Sequence, residues 1–90
     1  MKRVILKGSQ ITSKKALHNI LKAELELPDY YGENLDALWD VLSEEIEDPL
    51  VIIWQDFHIS KEFLGDYAEK VIKLFEDAKN EFQGFSYEIK

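Results

Sequence analysis

The sequence predicts a two-layer α/β domain in which helices pack on a three-stranded parallel sheet with strand order 1-2-3. Three short segments with strand character lie at residues 2–7, 50–54 and 85–89. Segments with helical periodicity separate each strand from the next, and such crossovers connect parallel strands in the right-handed sense. The middle strand is apolar throughout, which is typical of a central strand. With this order the helices lie on one side of the sheet, and the other side is partly covered at best.

Length and composition limit the class of protein. Ninety residues suffice for one modest core, so residues 1–90 are expected to form a single domain. The longest apolar run, Leu50–Trp54, has five residues, whereas a membrane-spanning helix needs about twenty. The N-terminal apolar run is too short for a signal-peptide core, and cysteine is absent. We therefore expect a cytoplasmic protein without a disulfide, a catalytic thiol or a thiolate metal site.

Capping residues and apolar spacing predict two helices before the middle strand. Thr12 or Ser13 caps the first helix, which ends before Pro28. His18 lies on this helix, and we expect it to make a structural hydrogen bond rather than to act in catalysis. Asn34 caps the second helix. The apolar stripe of the second helix is formed by Leu35, Leu38, Trp39, Leu42 and Ile46.

Two further helices follow the middle strand. A short segment at residues 58–64 is expected to be helical and to end at Gly65. Asp66 and Glu69 have the spacing of a capping box at the start of the last helix. The buried face of that helix is predicted to consist of Ala68, Val71, Ile72, Phe75 and Ala78. The final strand alternates in polarity, as a half-buried edge strand does.

The acidic residues are concentrated in one part of the chain. Eleven of the 18 lie between Lys22 and Lys61, a segment without Lys or Arg, so the formal charge of −7 divides into −11 there and +4 elsewhere. One interpretation is a generally acidic, soluble surface. The other is an electrostatic face for a cationic partner, because concentrated like charge disfavours the compact state. In either case the negative charge argues against nucleic-acid binding.

A candidate binding face surrounds the second predicted helix. The polar residues that share one face of this helix are Asp36, Asp40, Ser43 and Glu47. Asp36 and Asp40 are like charges one turn apart, a spacing that weakens a helix. Tyr30 and Tyr31 precede the helix and Trp39 flanks it, and such aromatic residues are enriched at binding hot spots. For Trp39, core packing and partner contact both remain open, whereas at least one of the tyrosines should be exposed.

Catalytic and metal-binding chemistry has weaker support. The sequence contains neither a nucleophile motif nor a phosphate-binding glycine loop. Asp36 and Asp40 have a spacing that suits general acid–base catalysis or a hard cation. The neighbouring sequence supplies neither an apolar pocket to separate their pKa values nor an EF-hand loop. We therefore expect that the chain is not an enzyme and binds neither a metal nor a cofactor. A small hydrolase that uses Asp36 and Asp40 stays as one alternative.

Residues 27–40, with the sequence LPDYYGENLDALWD, resemble the barstar family. Members of this family are intracellular protein inhibitors of barnase-type secreted ribonucleases. The run is long and unusual in composition, and the resemblance extends over nearly all ninety residues. Further matching residues are Pro49, Leu50, Trp54, Phe57, Phe75, Ala78 and Lys79. The resemblance implies the same fold, a three-stranded parallel sheet packed with helices.

The resemblance also implies a one-to-one complex with a basic ribonuclease. A monomer is the default expectation for the free protein. The second helix and the loop before it would plug the enzyme's active site. Asp40 would be the central anchor in the phosphate site, facing catalytic Arg and His residues. Asp36 would pair with a basic residue at the rim of the guanine-binding region, and Tyr30 would stack on the catalytic-histidine side of the cleft. The remaining contacts would come from Asn34, Leu35 and Trp39, with Asp77 on the last helix as an outlying acidic contact.

One stretch differs from the family pattern and concerns the identity of the target. Ser43, Glu44 and Glu45 stand where the type member has threonine, glycine and tryptophan. Ser43 keeps a hydroxyl, whereas the two glutamates remove a helix break and an aromatic. We therefore expect a longer helix and a ribonuclease with an extra Lys or Arg opposite Glu44. The main alternative function is a non-inhibitory acidic module that binds another basic protein.

Overall fold

A computed structural model of the chain describes residues 1–44 and 49–90. Within these residues the elements follow the predicted order of strand, two helices, strand, two helices and strand. They are β1 (Lys2–Lys7), a 3₁₀ turn (Gly8–Gln10), α1 (Lys14–Glu24), α2 (Leu35–Glu44), β2 (Leu50–Gln55), α3 (Phe57–Leu64), α4 (Asp66–Glu81) and β3 (Phe85–Ile89). The predicted continuation of the second helix through Glu45, Ile46 and Glu47 lies outside the described residues.

The three strands form one parallel sheet in the order β1-β2-β3, which confirms the predicted fold class and topology. Val4 lies opposite Ile52 of β2, and Ile52 lies opposite Tyr87 of β3. Val4 is fully buried, whereas Ile5, the next residue along β1, is 40% exposed. Because successive side chains of a strand point to opposite faces, the core lies on one face of the sheet and the other face is partly open.

Trp54 of β2 is fully buried in the core. Its ring packs edge-on against Phe57, with the centroids 4.8 Å apart, and contacts Phe75 at 6.4 Å. Its Nε1 donates a hydrogen bond to Ser60 Oγ at 2.9 Å, and Ser60 Oγ donates to the Gly8 carbonyl at 3.0 Å. This relay satisfies the buried polar atoms and joins α3 both to β2 and to the end of β1.

Both predicted helix caps before the middle strand are confirmed. Ser13 Oγ accepts a hydrogen bond from the backbone N–H of Ala16 at 3.0 Å. Asn34 Oδ1 accepts one from the N–H of Ala37 at 2.8 Å. Each cap satisfies an N–H group that has no partner within its helix, and thereby fixes the residue at which the helix begins.

The first helix ends earlier than the sequence predicts. Its last residue is Glu24, several positions before Pro28. Glu26 has a φ of 54°, and the N–H of Leu27 donates to the carbonyl of Lys22 at 2.9 Å. This is the Schellman arrangement, in which glycine is the usual residue at the left-handed position. Because glutamate occupies that position here, the sequence carries no signal for this helix end.

Gly65 separates α3 from α4 as predicted, but the predicted capping box is wrong. Asp66 is the first residue of α4, and Gly65 occupies the cap position with φ 59° and ψ −132° without a side-chain hydrogen bond. Glu69 instead pairs with Lys61 of α3, with Nζ and Oε1 2.6 Å apart. α3 begins at Phe57, one residue before its predicted start. Because glycine readily adopts this backbone conformation, the chain can turn sharply between the two helices.

The last helix packs on the sheet and also bonds to its edge strand. The buried residues of α4 are Ala68, Val71, Leu74, Phe75 and Ala78. They match the prediction except that Leu74 is buried and Ile72 only partly so. Tyr87 of β3 donates a hydrogen bond to the Glu76 carboxylate at 2.6 Å, and this bond raises the pKa of Tyr87 to about 12. None of the helices in the described part of the chain is both long and apolar enough to cross a membrane.

Candidate protein-binding site

The second helix turns its apolar residues inward and its acidic residues outward. Leu38 and Leu42 are buried, while Leu35 and Trp39 are partly buried against the core. The exposed residues of α2 are Asp36, Asp40, Ser43 and Glu44. The predicted acidic face is confirmed for the described part of α2, and Glu47 lies outside that part.

The carboxylates of this face are not neutralised within the described structure. Asp36, Asp40 and Glu44 form no ion pair with any residue of segments 1–44 and 49–90. The ion pairs that do form are Lys2–Glu26, Lys22–Asp29, Lys61–Glu69 and Lys73–Asp77. Ser43 Oγ donates to the main-chain carbonyl of Asp40 at 2.9 Å, so this hydroxyl is bonded to the backbone rather than to the carboxylate. A cationic partner would therefore meet negative charge that no described cation offsets.

Local hydrogen bonds shape the loop before the helix. The N–H of Tyr31 donates to the Pro28 carbonyl at 3.0 Å, which closes a turn. Asn34 Nδ2 donates to the Gly32 carbonyl at 3.1 Å while its Oδ1 caps α2. Glu33, between these residues, has a φ of 52°. The side chain of Asn34 thus holds the loop and the start of α2 together.

The two adjacent tyrosines have opposite environments. Tyr30 is 86% exposed, whereas Tyr31 is 6% exposed. The Tyr31 hydroxyl lies 2.7 Å from His18 Nδ1, and the Tyr67 hydroxyl of α4 lies 2.7 Å from His18 Nε2. The structural hydrogen bond predicted for His18 is therefore confirmed, and so is the exposure of one tyrosine. This buried network fixes the loop to both α1 and α4.

Burial shifts the ionisation of this network towards neutral side chains. The pKa of His18 is lowered from its ordinary value because burial disfavours the imidazolium, and the Glu33 carboxylate opposes this shift. Burial also raises the pKa of the Tyr31 hydroxyl, and the nearby Tyr67 and Glu33 add to the effect. At neutral pH we therefore expect an uncharged imidazole between two uncharged phenols.

The loop and α2 enclose a groove of about 270 Å³. Its lining residues are Pro28, Tyr30, Tyr31, Gly32, Ala37, Asp40, Val41 and Glu44. Three of the predicted site residues, Tyr30, Asp40 and Glu44, therefore meet at one concave surface. Asp36 lies on the same helix face but is not among the lining residues. An exposed aromatic ring and two carboxylates around an apolar floor suit a cationic side chain.

Trp39 combines the two roles that its sequence position left open. Its ring lies 5.0 Å from the ring of Phe82, the residue that follows α4, at an interplanar angle of 51°. It packs against the core but is only partly buried. Contact between Trp39 and a partner stays a prediction. The packing against Phe82 would already hold the side chain in place for such a contact.

Asp77 is the predicted site residue that stands apart from the others. It lies on α4, which packs against α2, and it does not line the groove. Its carboxylate is bonded to the ammonium group of Lys73 at 2.8 Å and keeps 45% of its side-chain surface exposed. The two residues of this ion pair are one helical turn apart, and the Asp77 carboxylate stays accessible to a partner.

Sequence reasoning missed several residues that shape the groove. Ala37 and Val41 form part of its floor, and Pro28 and Gly32 form part of the loop wall. A helical projection offers a signal for the first two, because positions 37, 41 and 44 lie on one flank of α2. The sequence gives no signal for the role of Tyr67, because its contact with His18 joins residues 49 positions apart in the chain.

Two comparisons with known proteins bear on this site. The family model described as Barstar (barnase inhibitor) matches residues 1–90, which include the whole loop and α2. The chain is also 40% identical over 83 residues to a Bacillus subtilis (strain 168) protein named "Putative ribonuclease inhibitor YrdF". That alignment covers 92% of this chain and 91% of the Bacillus protein.

Proposed function

Because the chain belongs to the barstar family, whose model is described as barnase inhibitor, we propose that it inhibits a small basic ribonuclease of the barnase type. The main support from the structure is the groove beside α2, where Tyr30, Asp40 and Glu44 meet. The relative named as a ribonuclease inhibitor supports the same conclusion. The inhibitor binds its enzyme one to one, is a monomer when free and acts in the cytoplasm.

Asp40 is the central anchor in this complex. Its exposed carboxylate lies at the groove and has no cationic partner in the described structure. It takes the position of an RNA phosphate and faces the catalytic Arg and His side chains of the ribonuclease. Charge-assisted hydrogen bonds of this kind are roughly twice as strong as neutral ones. The carboxylate thereby replaces the substrate group that the enzyme is built to bind.

The residues around Asp40 supply the rest of the contact surface. Tyr30, which is 86% exposed, stacks on the side of the cleft that holds the catalytic histidine. Asp36 pairs with a basic residue at the rim of the guanine-binding region. Leu35 and Trp39 add apolar contact and are already packed against the core, so they lose little conformational freedom on binding. Additional polar contacts come from Asn34 and Ser43, and from Asp77 at the periphery.

Glu44 adds a second carboxylate to the groove and bears on which ribonuclease is bound. It lies one turn after Asp40, on the same flank of α2. Two adjacent carboxylates repel each other in the free protein, and a cation between them relieves that repulsion. We therefore expect the cognate ribonuclease to carry a Lys or Arg opposite Glu44. Glu45 shares this expectation from the sequence, and its position lies outside the described residues.

Inhibition in this proposal requires no covalent step and no cofactor. The loop and α2 fill the active-site cleft, so RNA is excluded sterically while the carboxylates occupy its phosphate sites. The chain itself is not an enzyme. The alternative hydrolase would turn over a substrate alone, and the alternative acidic module would bind a basic protein that is not a ribonuclease.

A ribonuclease activity titration tests the proposal. Barnase is titrated with the wild-type protein, Asp40→Ala, Glu44→Ala and Glu62→Ala. Glu62 is an exposed acid on α3 and does not line the groove, so its variant controls for the loss of one negative charge. We expect stoichiometric inhibition by the wild type and by Glu62→Ala, and a loss of at least about a hundredfold in affinity for Asp40→Ala.

The same titration tests the role of Glu44 and defines the result that would contradict the proposal. Glu44→Ala should bind barnase at least as tightly as the wild type if barnase lacks a cation opposite Glu44, and more weakly if it has one. Absence of inhibition by a folded wild-type sample, with barnase and with other small basic ribonucleases, would contradict the proposed function. The acidic module that binds another basic protein would then be favoured.

A further inference from the structure

A buried histidine connects the binding loop to two helices. His18 of α1 is 1% exposed, with the Tyr31 hydroxyl 2.7 Å from Nδ1 and the Tyr67 hydroxyl 2.7 Å from Nε2. Tyr31 lines the groove and directly follows Tyr30, whereas Tyr67 belongs to α4. The two phenol rings lie 5.8 Å and 6.0 Å from the imidazole, centroid to centroid. The imidazole is therefore the central member of a clamp that spans α1, the loop and α4.

The neutral imidazole suits this clamp better than the imidazolium does. A neutral ring has one N–H donor and one acceptor nitrogen, so one tyrosine accepts a hydrogen bond and the other donates one. An imidazolium has two N–H donors and no acceptor. The tyrosine that donated to the ring would then have to accept from it, and its own hydroxyl proton has no other acceptor among residues 1–44 and 49–90. Protonation thus leaves a second hydroxyl proton without an acceptor among these residues and buries a charge.

The charged groups around the ring act in opposite directions. The Glu33 carboxylate, on the loop side, favours the imidazolium. The Lys14 ammonium lies 4.7 Å from the centroid of the Tyr67 ring and adds positive charge at the boundary of α1 and α4. Burial of the ring outweighs the Glu33 carboxylate and lowers the pKa of His18. His18 is therefore neutral at pH 7 and is protonated only in more acidic solution.

From this geometry we infer that His18 is a positioning residue for partner binding, because its neutral ring ties Tyr31, and with it the Tyr30 wall of the groove, to α1 and α4. Protonation reverses one of the two hydrogen bonds, leaves its hydroxyl proton without an acceptor and places a charge in the clamp. The loop is then held less firmly, and affinity for the partner falls. The choice of a basic ribonuclease as that partner rests on the proposed function. The coupling between His18 and the loop is a property of the free protein and is tested without a partner.

Linkage gives the expected size of the effect. If the complex requires the clamped loop, it holds the His18 proton less tightly than the free protein does, so the pKa of His18 is lower in the complex. Each unit of that difference corresponds to about a tenfold loss of affinity at a pH below both values. Because burial lowers the pKa of His18, only part of this loss is reached at about pH 5.5. We expect wild-type affinity to fall by roughly two- to threefold more than that of a non-titrating variant between about pH 7.5 and about pH 5.5.

The first experiment follows the free protein by NMR over this pH range. The ring signals of His18 and the amide signals of Tyr30, Tyr31 and Gly32 are recorded in the wild type, Tyr67→Phe and Tyr87→Phe. We expect the loop amides to shift with the His18 ring in the wild type and less in Tyr67→Phe. Tyr87→Phe removes a different tyrosine bond, that to Glu76, and should behave as the wild type. Loop amides that do not follow the His18 titration would overturn the inference.

The second experiment measures affinity for barnase at three pH values. His18→Gln keeps an amide donor and acceptor but does not titrate, and His58→Gln removes the exposed histidine of α3 as a matched control. Histidines of the ribonuclease contribute equally to all variants, so the readout is the difference in slope. We expect a flatter profile for His18→Gln and one like that of the wild type for His58→Gln. The same difference is expected at 0.5 M salt, where long-range electrostatic interactions are screened.

Two outcomes separate this inference from the proposed function. Equal pH profiles for wild type and His18→Gln, in samples that bind barnase, would overturn the inference and leave inhibition standing. Absence of barnase binding in every variant would contradict the proposed function, and the NMR titration of the free protein would then decide the inference. If His18→Gln does not fold, the pKa of His18 is measured instead in the free and in the barnase-bound wild type. Equal pKa values in the two states would overturn the inference.

Discussion

Ser60 has a structural importance that its size does not suggest. Its hydroxyl is fully buried, accepts a hydrogen bond from Trp54 Nε1 and donates one to the Gly8 carbonyl. It therefore connects β2, α3 and the 3₁₀ turn that follows β1 at one point. An alanine there would leave the buried Trp54 Nε1–H without an acceptor, and such an unpaired group costs free energy. The Gly8 carbonyl would lose one of its two donors and keep the N–H of Ile11 at 3.1 Å.

We predict that Ser60→Ala lowers the free energy of unfolding by about 2 kcal/mol or more. Urea denaturation followed by fluorescence measures this loss. Ser43→Ala is the matched control, because Ser43 is exposed and bonds to the backbone of its own helix. Its effect should stay within about 0.5 kcal/mol. Similar losses for the two variants would show that the Trp54–Ser60–Gly8 relay contributes little.

At the scale of single residues, the sequence predicts environment only where the pattern is local. The burial of Leu38 and Leu42 follows from helical spacing and was predictable. The choice between Tyr30 and Tyr31 was not, because it depends on His18 and Tyr67, which approach Tyr31 only in the folded protein. The sequence therefore predicted one exposed tyrosine without determining which one.

The loop and α2 behave as one element because Asn34 belongs to both. Its side chain caps the helix through the N–H of Ala37 and holds the loop through the carbonyl of Gly32. The predicted partner residues on α2 therefore depend on a capping contact that no partner needs to touch. Stability and binding should be coupled at this residue.

We predict that Asn34→Ala lowers the free energy of unfolding by about 1 kcal/mol and also weakens binding to the ribonuclease. Ser13→Ala removes the equivalent cap of α1 and is the matched control. It should lose a similar amount of stability in urea denaturation while its inhibition of barnase stays unchanged. An equal loss of affinity in both variants would mean that general destabilisation, rather than the loop, weakens binding.

The boundaries of the helices show what local signals can and cannot predict. Side-chain caps at Ser13 and Asn34 were predictable because their residue types prefer that position. The end of α1 was not, because Glu26 adopts the left-handed conformation that glycine usually takes. The spacing of Asp66 and Glu69 predicted a cap, but Gly65 takes the cap position and Glu69 pairs with Lys61. In the second case a tertiary contact, the ion pair between Lys61 and Glu69, replaces the predicted local one.

The charge of the whole molecule is divided between two parts of the chain, and this division bears on the rate of binding. The formal net charge is −7. The segment between Lys22 and Lys61 has a charge of −11, and the rest of the chain has a charge of +4. A field of this kind attracts a basic enzyme before contact is made and orients the two molecules. Salt screens the field over a distance of roughly 10 Å at 0.1 M, whereas buried charge pairs are screened far less.

We predict that the association rate with the ribonuclease falls by about tenfold or more between 25 mM and 500 mM salt, while the dissociation rate changes much less. Stopped-flow fluorescence measures both rates. Sucrose at matched viscosity controls for changes in diffusion. An association rate that is nearly independent of salt would contradict electrostatic mimicry of RNA phosphate by α2.

The order of the elements along the chain has a consequence for synthesis. The loop and α2 lie between β1 and β2, so the ribosome produces the acidic helix before the strand that β1 pairs with. Tyr67, which holds Tyr31 through His18, is translated later still. A nascent chain that already displays Asp40 therefore lacks the framework that gives the groove its shape. If the chain acts as the proposed inhibitor, its protection of a cell would begin when the last helix has docked, and translation of the acidic helix alone would confer none.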